Sequence, residues 1–284
     1  MQQHHSPDHS IPGFRRHPDR RVATASFVAA MLLLSVACSE AEDSANALLC
    51  DGSSGARLVY SDDGGNVPTT YSFSHAYGHS FFVVDGSCRY WAGEEYLKGV
   101  RTGTLTPERA NVIARDLHYS QFARLKAYTG SDCPDATTRT LSDGTNNVRC
   151  TCDCRDQTPV EYQQAFSRLD GVFRQLFDAG APAELPIRVI ATDQTHPDYT
   201  AAAWPLTWSP RDVLWNGTTR PSPSAGRLVT EAMELTALRM LRQAVVDRYA
   251  HNFAVKVSDA GSEFMVFPRD EAPAAVADAL ARLR

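Results

Sequence analysis

The sequence predicts an α+β fold of two related units, each a mainly antiparallel sheet with helices packed on one face. Three observations carry this. Short apolar runs bounded by Gly, Asp and Pro read as strands, and other apolar residues recur every three or four positions, as on the buried face of a helix. A helix, hairpin, helix order occurs twice along the chain. Finally, 43% hydrophobic and 21% charged residues in a chain of 284 supply enough apolar material for a packed core.

In the first unit, residues 55–180, strands are expected at Leu58–Ser61, Thr70–Ser74, Phe81–Asp85 and Arg89–Ala92. Thr106, Pro107 and Glu108 then provide an N-cap, a proline at the first helical position and an acid in the first turn. Ala110, Ile113, Ala114 and Leu117 follow at helical spacing. Thr138–Ser142 and Val148–Cys154, joined at Asp143-Gly144, read as a hairpin. Pro159 opens a helix whose stripe is Tyr162, Phe166, Leu169, Phe173 and Leu176. Gly and Pro in the link Asp178–Pro186 mark the boundary.

The second unit, residues 185–284, begins with strands at Ile187–Ala191 and Trp204–Trp208. Gly103-x-Leu105-x-x-Glu108 then has its counterpart in Gly226-x-Leu228-x-x-Glu231, followed by a helix bearing Leu235, Leu238, Leu241 and Val245. Phe253–Val257 and Phe264–Phe267 flank Ser258-Asp-Ala-Gly261 as a second hairpin, and Pro273 opens a last helix with Val276, Leu280 and Leu283.

Residues 1–37 have the order of a secretory signal: Arg15, Arg16, Arg20 and Arg21, an apolar run from Val22 to Val36, then Ala37 and Cys38. The run is shorter than the ~20 residues that span a bilayer. Leu34-Ser-Val-Ala-Cys38 resembles the lipobox of bacterial lipoproteins, which implies cleavage before Cys38 and acylation of its thiol. Ser35 and Ala37 also fit a small-x-small cleavage site that would release a secreted protein. Residues 38–54 read as a lipidated flexible tether. The resemblance places the chain on a membrane of the bacterial envelope, the outer membrane or the periplasmic face of the inner one.

Seven cysteines leave one over from intramolecular pairing, and acylation of Cys38 accounts for it. In a strand, Cys150, Cys152 and Cys154 would share one face, too far apart and too parallel for a zinc knuckle. In an exported protein the expectation is disulfides, with Cys50, Cys88 and Cys133 each joined to one of the three.

Net charge is −5 with no basic cluster, which argues against nucleic acid as a partner. No zinc-protease, nucleophile-elbow, phosphate-loop or dinucleotide motif occurs, so no catalytic residue, metal or cofactor is implied. His75 and His79 lie in an aromatic-rich hairpin and read as structural; Asp62-Asp-Gly-Gly65 reads as a turn between strands and Asn216-Gly217-Thr218 as a turn. Trp204, Trp208 and Trp215 form the densest aromatic cluster and are the candidates for stacking on a sugar or gripping a partner.

The order of the second unit, from its first helix through Val255-Lys-Val257, Phe264-Met-Val266 and Pro273, resembles emfourin-type bacterial protease inhibitors, which implies a protease as partner. The leading expectation is a non-enzymatic, membrane-tethered binding module with an unknown protein or glycan ligand. Its rivals are an exported protease inhibitor and an envelope hydrolase.

Overall fold

Phe81, Phe82, Val83 and Val84 are apolar in succession, and a strand carrying such a run has both faces to bury. The structure, a computed structural model, meets that demand. It describes residues 49–64, 73, 80–94, 97–119, 122, 125–126, 137–144, 146–151, 160–195, 197–217, 221–247 and 254–283. The leader, Cys38, His75, His79, Cys133, Cys152 and Cys154 lie outside the described residues.

The first sheet is antiparallel, with seven strands in the order β6-β5-β1-β2-β3-β4-β7. These are β1 (Ala56–Gly64), β2 (Ser80–Asp85), β3 (Arg89–Glu94), β4 (Gly99–Thr104), β5 (Thr137–Ser142), β6 (Asn147–Cys150) and β7 (Ala181–Pro182). The second has five strands in the order β10-β8-β12-β11-β9: β8 (Ile187–Thr192), β9 (Ala202–Ala203), β10 (Arg227–Val229), β11 (Val255–Asp259) and β12 (Ser262–Asp270). It is mixed, because β11 pairs with β9 in parallel. The helices are α1 (Pro107–Tyr119), α2 (Val160–Ala179), α3 (Ala232–Val246) and α4 (Ala274–Ala281). The α+β class expected from the sequence is the class found.

Local signals explain the helices. Thr106 Oγ1 accepts the Arg109 N–H at 3.2 Å and so caps α1, with Pro107 at its first position. Ala110, Ile113 and Ala114 are buried, as are Tyr162, Phe166, Leu169 and Leu176 along α2. These two helices cover the sheet face that carries Leu58, Tyr60, Phe82 and Val84. Val59, Phe81, Val83 and Trp91 point the other way, where α4 meets them with Val276, Ala279 and Leu280. Helices therefore stand on both faces of the first sheet. In the second, α3 covers Ile187, Val189, Val255 and Val266, while Phe73, Ile190, Met265 and Phe267 form the opposite layer.

The helix, hairpin, helix order recurs as α1-β5-β6-α2 and α3-β11-β12-α4. Its wiring does not. The first strand of one hairpin, β5, pairs with β1, whereas the second strand of the other, β12, pairs with β8. The last helix of the second set packs on the first sheet. Residues Asp43–Arg284 form one compact unit, and the link at 180–186 is stitched into it. There, β7 pairs with β4, and Glu271 N–H donates to the Pro186 carbonyl.

Two carboxylates hold key junctions. Asp270, 5% exposed at the end of β12, accepts the Val100 N–H and an Arg242 Nη1–H, both at 2.8 Å. Gly99 permits this approach: its φ is +75°, and a Cβ there would stand 2.4 Å from the Asp270 carboxylate. On the first sheet, Asp170 of α2 accepts Tyr60 Oη–H at 3.0 Å and Arg139 Nη1–H at 2.8 Å. Burial first, then the Asp170 and Asp62 charges, pushes the Tyr60 phenol well above its ordinary range.

Three expectations are corrected. Cys50 pairs with Cys88, Cα atoms 5.0 Å apart, instead of with a member of the later cluster. The start of β1 lies beside the end of β2, as the Ala56–Asp85 pairing shows, whereas β6, which carries Cys150, is three strand places from β2. At ~4.8 Å per place that is about 14 Å, beyond the reach of a disulfide. Cys150 is itself disulfide-bonded, and it and Val148 are buried between exposed Asn147 and Arg149, the alternation the sequence implied. Asp62 and Asp63 are not a turn: β1 runs through them, paired with Arg139 and Thr138 of β5, and Arg139 draws Asp62 into an ion pair at 3.5 Å. Trp204–Trp208 is not a strand, because pairing with β11 stops near Pro205, which has no N–H to give.

Candidate binding site

Strand β8 has a long outer edge and a short partner. The three residues of β10 pair with Ile187, Arg188 and Val189 only. Further on, a different segment takes over: Leu214 bridges Ala191, and the Trp215 N–H donates to the Ala191 carbonyl at 2.8 Å. Between these two partners, over Ile190, the sheet edge opens into a cleft of about 450 Å³. That size lies within the range of small-molecule sites.

Each wall has a local cause. Ser209-Pro210-Arg211-Asp212 is a capping box that opens a 3₁₀ turn (Pro210–Val213): Ser209 Oγ accepts the Arg211 N–H, and Asp212 Oδ2 accepts the Ser209 N–H. Ser209 Oγ–H also donates to Asp259 Oδ2 at 2.5 Å, tying the turn to β11. This places Asp212, Val213, Leu214 and Trp215 along one side of the cleft. Gly226 and Arg227 form the other. Gly226 has φ +85°, and a Cβ there would stand 2.1 Å from the Val189 carbonyl oxygen, so only glycine lets the chain enter β10 this close to β8.

The cleft is chemically mixed. Ile190, Val213 and Leu214 give it an aliphatic lining and Trp215 an indole. The Arg227 guanidinium lies 4.7 Å from the centre of the Trp208 ring, a cation–π arrangement that orients it while leaving its N–H donors without a partner among the described residues. Asp212 and Arg227 line the same cleft but form no ion pair with each other.

The three tryptophans are split. Trp204 and Trp208 meet edge to face, centroids 5.1 Å apart, and Trp204 Nε1–H donates to the Trp208 carbonyl. Trp208 is buried in the layer beneath α3, with Leu97 and Leu238. Trp215 packs against the opposite layer, beside Ile190 and Phe267, and it alone of the three lines the cleft. The aromatic cluster is thus one cleft residue, one residue that orients Arg227 and one packing partner. Asp212, Gly226 and Arg227 went unrecognised in the sequence, although the Ser-Pro-x-Asp capping pattern was there to be read.

Among the described residues, no three His, Cys, Asp or Glu side chains gather as a metal site, and no helix is long and apolar enough to cross a membrane. Comparison of the chain with protein-family models, curated proteins and solved structures finds no match.

Proposed function

We propose that this chain is an exported binding module of the bacterial envelope, held on a membrane by acyl chains on Cys38, and that it binds its ligand in the cleft beside Trp215. The leader and the Leu34–Cys38 segment support the address. The observation that carries the binding reading is Arg227, a guanidinium oriented by Trp208 at the wall of a cleft with its donors uncommitted among the described residues. A charge held against an aromatic ring beside aliphatic and indole surface is a recognition set.

The test has two arms. Labelled palmitate should follow the protein in cells and be lost in Cys38→Ala. The mature chain, incubated with the small-molecule fraction of an envelope extract and examined by native mass spectrometry, should retain a compound that Arg227→Gln does not. Unlabelled wild-type protein would overturn the tether. Equal retention by both proteins, or none by either, would overturn the binding site.

A further inference from the structure

We infer that the ligand of this cleft is a small zwitterion with an apolar body, of the amino-acid or dipeptide class, its carboxylate taken by Arg227 and its ammonium by Asp212. The inference rests on the cleft being the binding site and goes on to name what fits it.

Opposite charges that share a cleft wall normally neutralise one another. Here they do not pair, although both line the same space. Both are exposed, and each makes one contact that leaves its polar groups available. The Arg227 guanidinium carbon lies 4.7 Å from the centre of the Trp208 ring, and its N–H donors have no partner among the described residues. Asp212 uses Oδ2 for the Ser209 N–H at 3.3 Å, leaving the carboxylate room for further donors. A ligand bridging the two sites must offer an anion at one end and a cation at the other. A simple anion would meet the Asp212 charge, and a simple cation would meet Arg227.

The rest of the lining is Ile190, Val213, Leu214 and Trp215, which favours an aliphatic or aromatic side chain over a polyol. A neutral sugar could use the indole, but it would leave both charges without counter-charges. The cleft volume of about 450 Å³ is in the range that takes a free amino acid or a dipeptide.

The experiment is calorimetric titration of the mature full chain with L-alanyl-L-leucine and L-leucine, against N-acetyl-alanyl-leucine, alanyl-leucinamide and methyl glucoside. Capping either end of the dipeptide should weaken binding at least tenfold. Arg227→Gln should weaken the uncapped dipeptide tenfold or more yet leave the amide unchanged, and Asp212→Asn, which keeps an acceptor for Ser209, should do the same with respect to the acetylated form. Capped and uncapped forms binding equally would overturn the inference, with no dependence on how any variant folds. Binding of methyl glucoside without the dipeptide would overturn it while leaving the cleft as the site. Failure of every probe would also overturn it, and the retention experiment with the envelope extract then decides separately whether the cleft binds anything.

Discussion

Asp270 illustrates how one side chain joins distant parts of the chain. Its carboxylate is buried against the Arg242 guanidinium of α3 and the Val100 N–H of β4, and Gly99 leaves the space it occupies. Removing one partner strands the other charge in the interior, at a cost of about 3–5 kcal/mol. Asp270→Ala should therefore lower the urea midpoint strongly. Arg242→Met combined with it should recover most of the loss, since replacing both charges by apolar groups is often neutral. A double variant no more stable than Asp270→Ala would show that the pair is not the reason. None of this was legible beforehand. Asp270 and Arg242 look like ordinary surface residues in the sequence, because burial of a charge is decided by which distant element arrives beside it.

At the scale of elements, the periodic signals read well and the pairings did not. The cap at Thr106, the stripe of α2 and the alternation at Val148 and Cys150 all lie in local residue order, so they could be read from it. What local order does not contain is which strand docks where, and hence that the two hairpins attach by opposite strands or that Cys50 meets Cys88. One long-range feature was nevertheless visible. The unbroken run Phe81–Val84 called for cover on both faces, and α4 supplies the second. Leu280 of α4 is 3% exposed against that face, so Leu280→Ala should cost about 2–5 kcal/mol in chemical denaturation. A loss below ~1 kcal/mol would mean that α4 does not cover the sheet in solution.

Over the whole molecule, the sequence singles out residues that border the cleft but does not contain the cleft's shape. Of the three tryptophans, Trp215 lines the cleft and Trp208 lies against Arg227. The cleft itself exists because β8 is longer than β10, so two separate segments share its edge. That is a property of register, which single-chain patterns specify poorly at short edge strands. The most direct measurement of the account is hydrogen–deuterium exchange on the mature chain with and without saturating L-alanyl-L-leucine. Protection should rise in residues 212–215 and 226–227 and change little along the exposed Met233 and Met240 side of α3. Protection elsewhere with none at those two segments would contradict a binding cleft at the edge of β8.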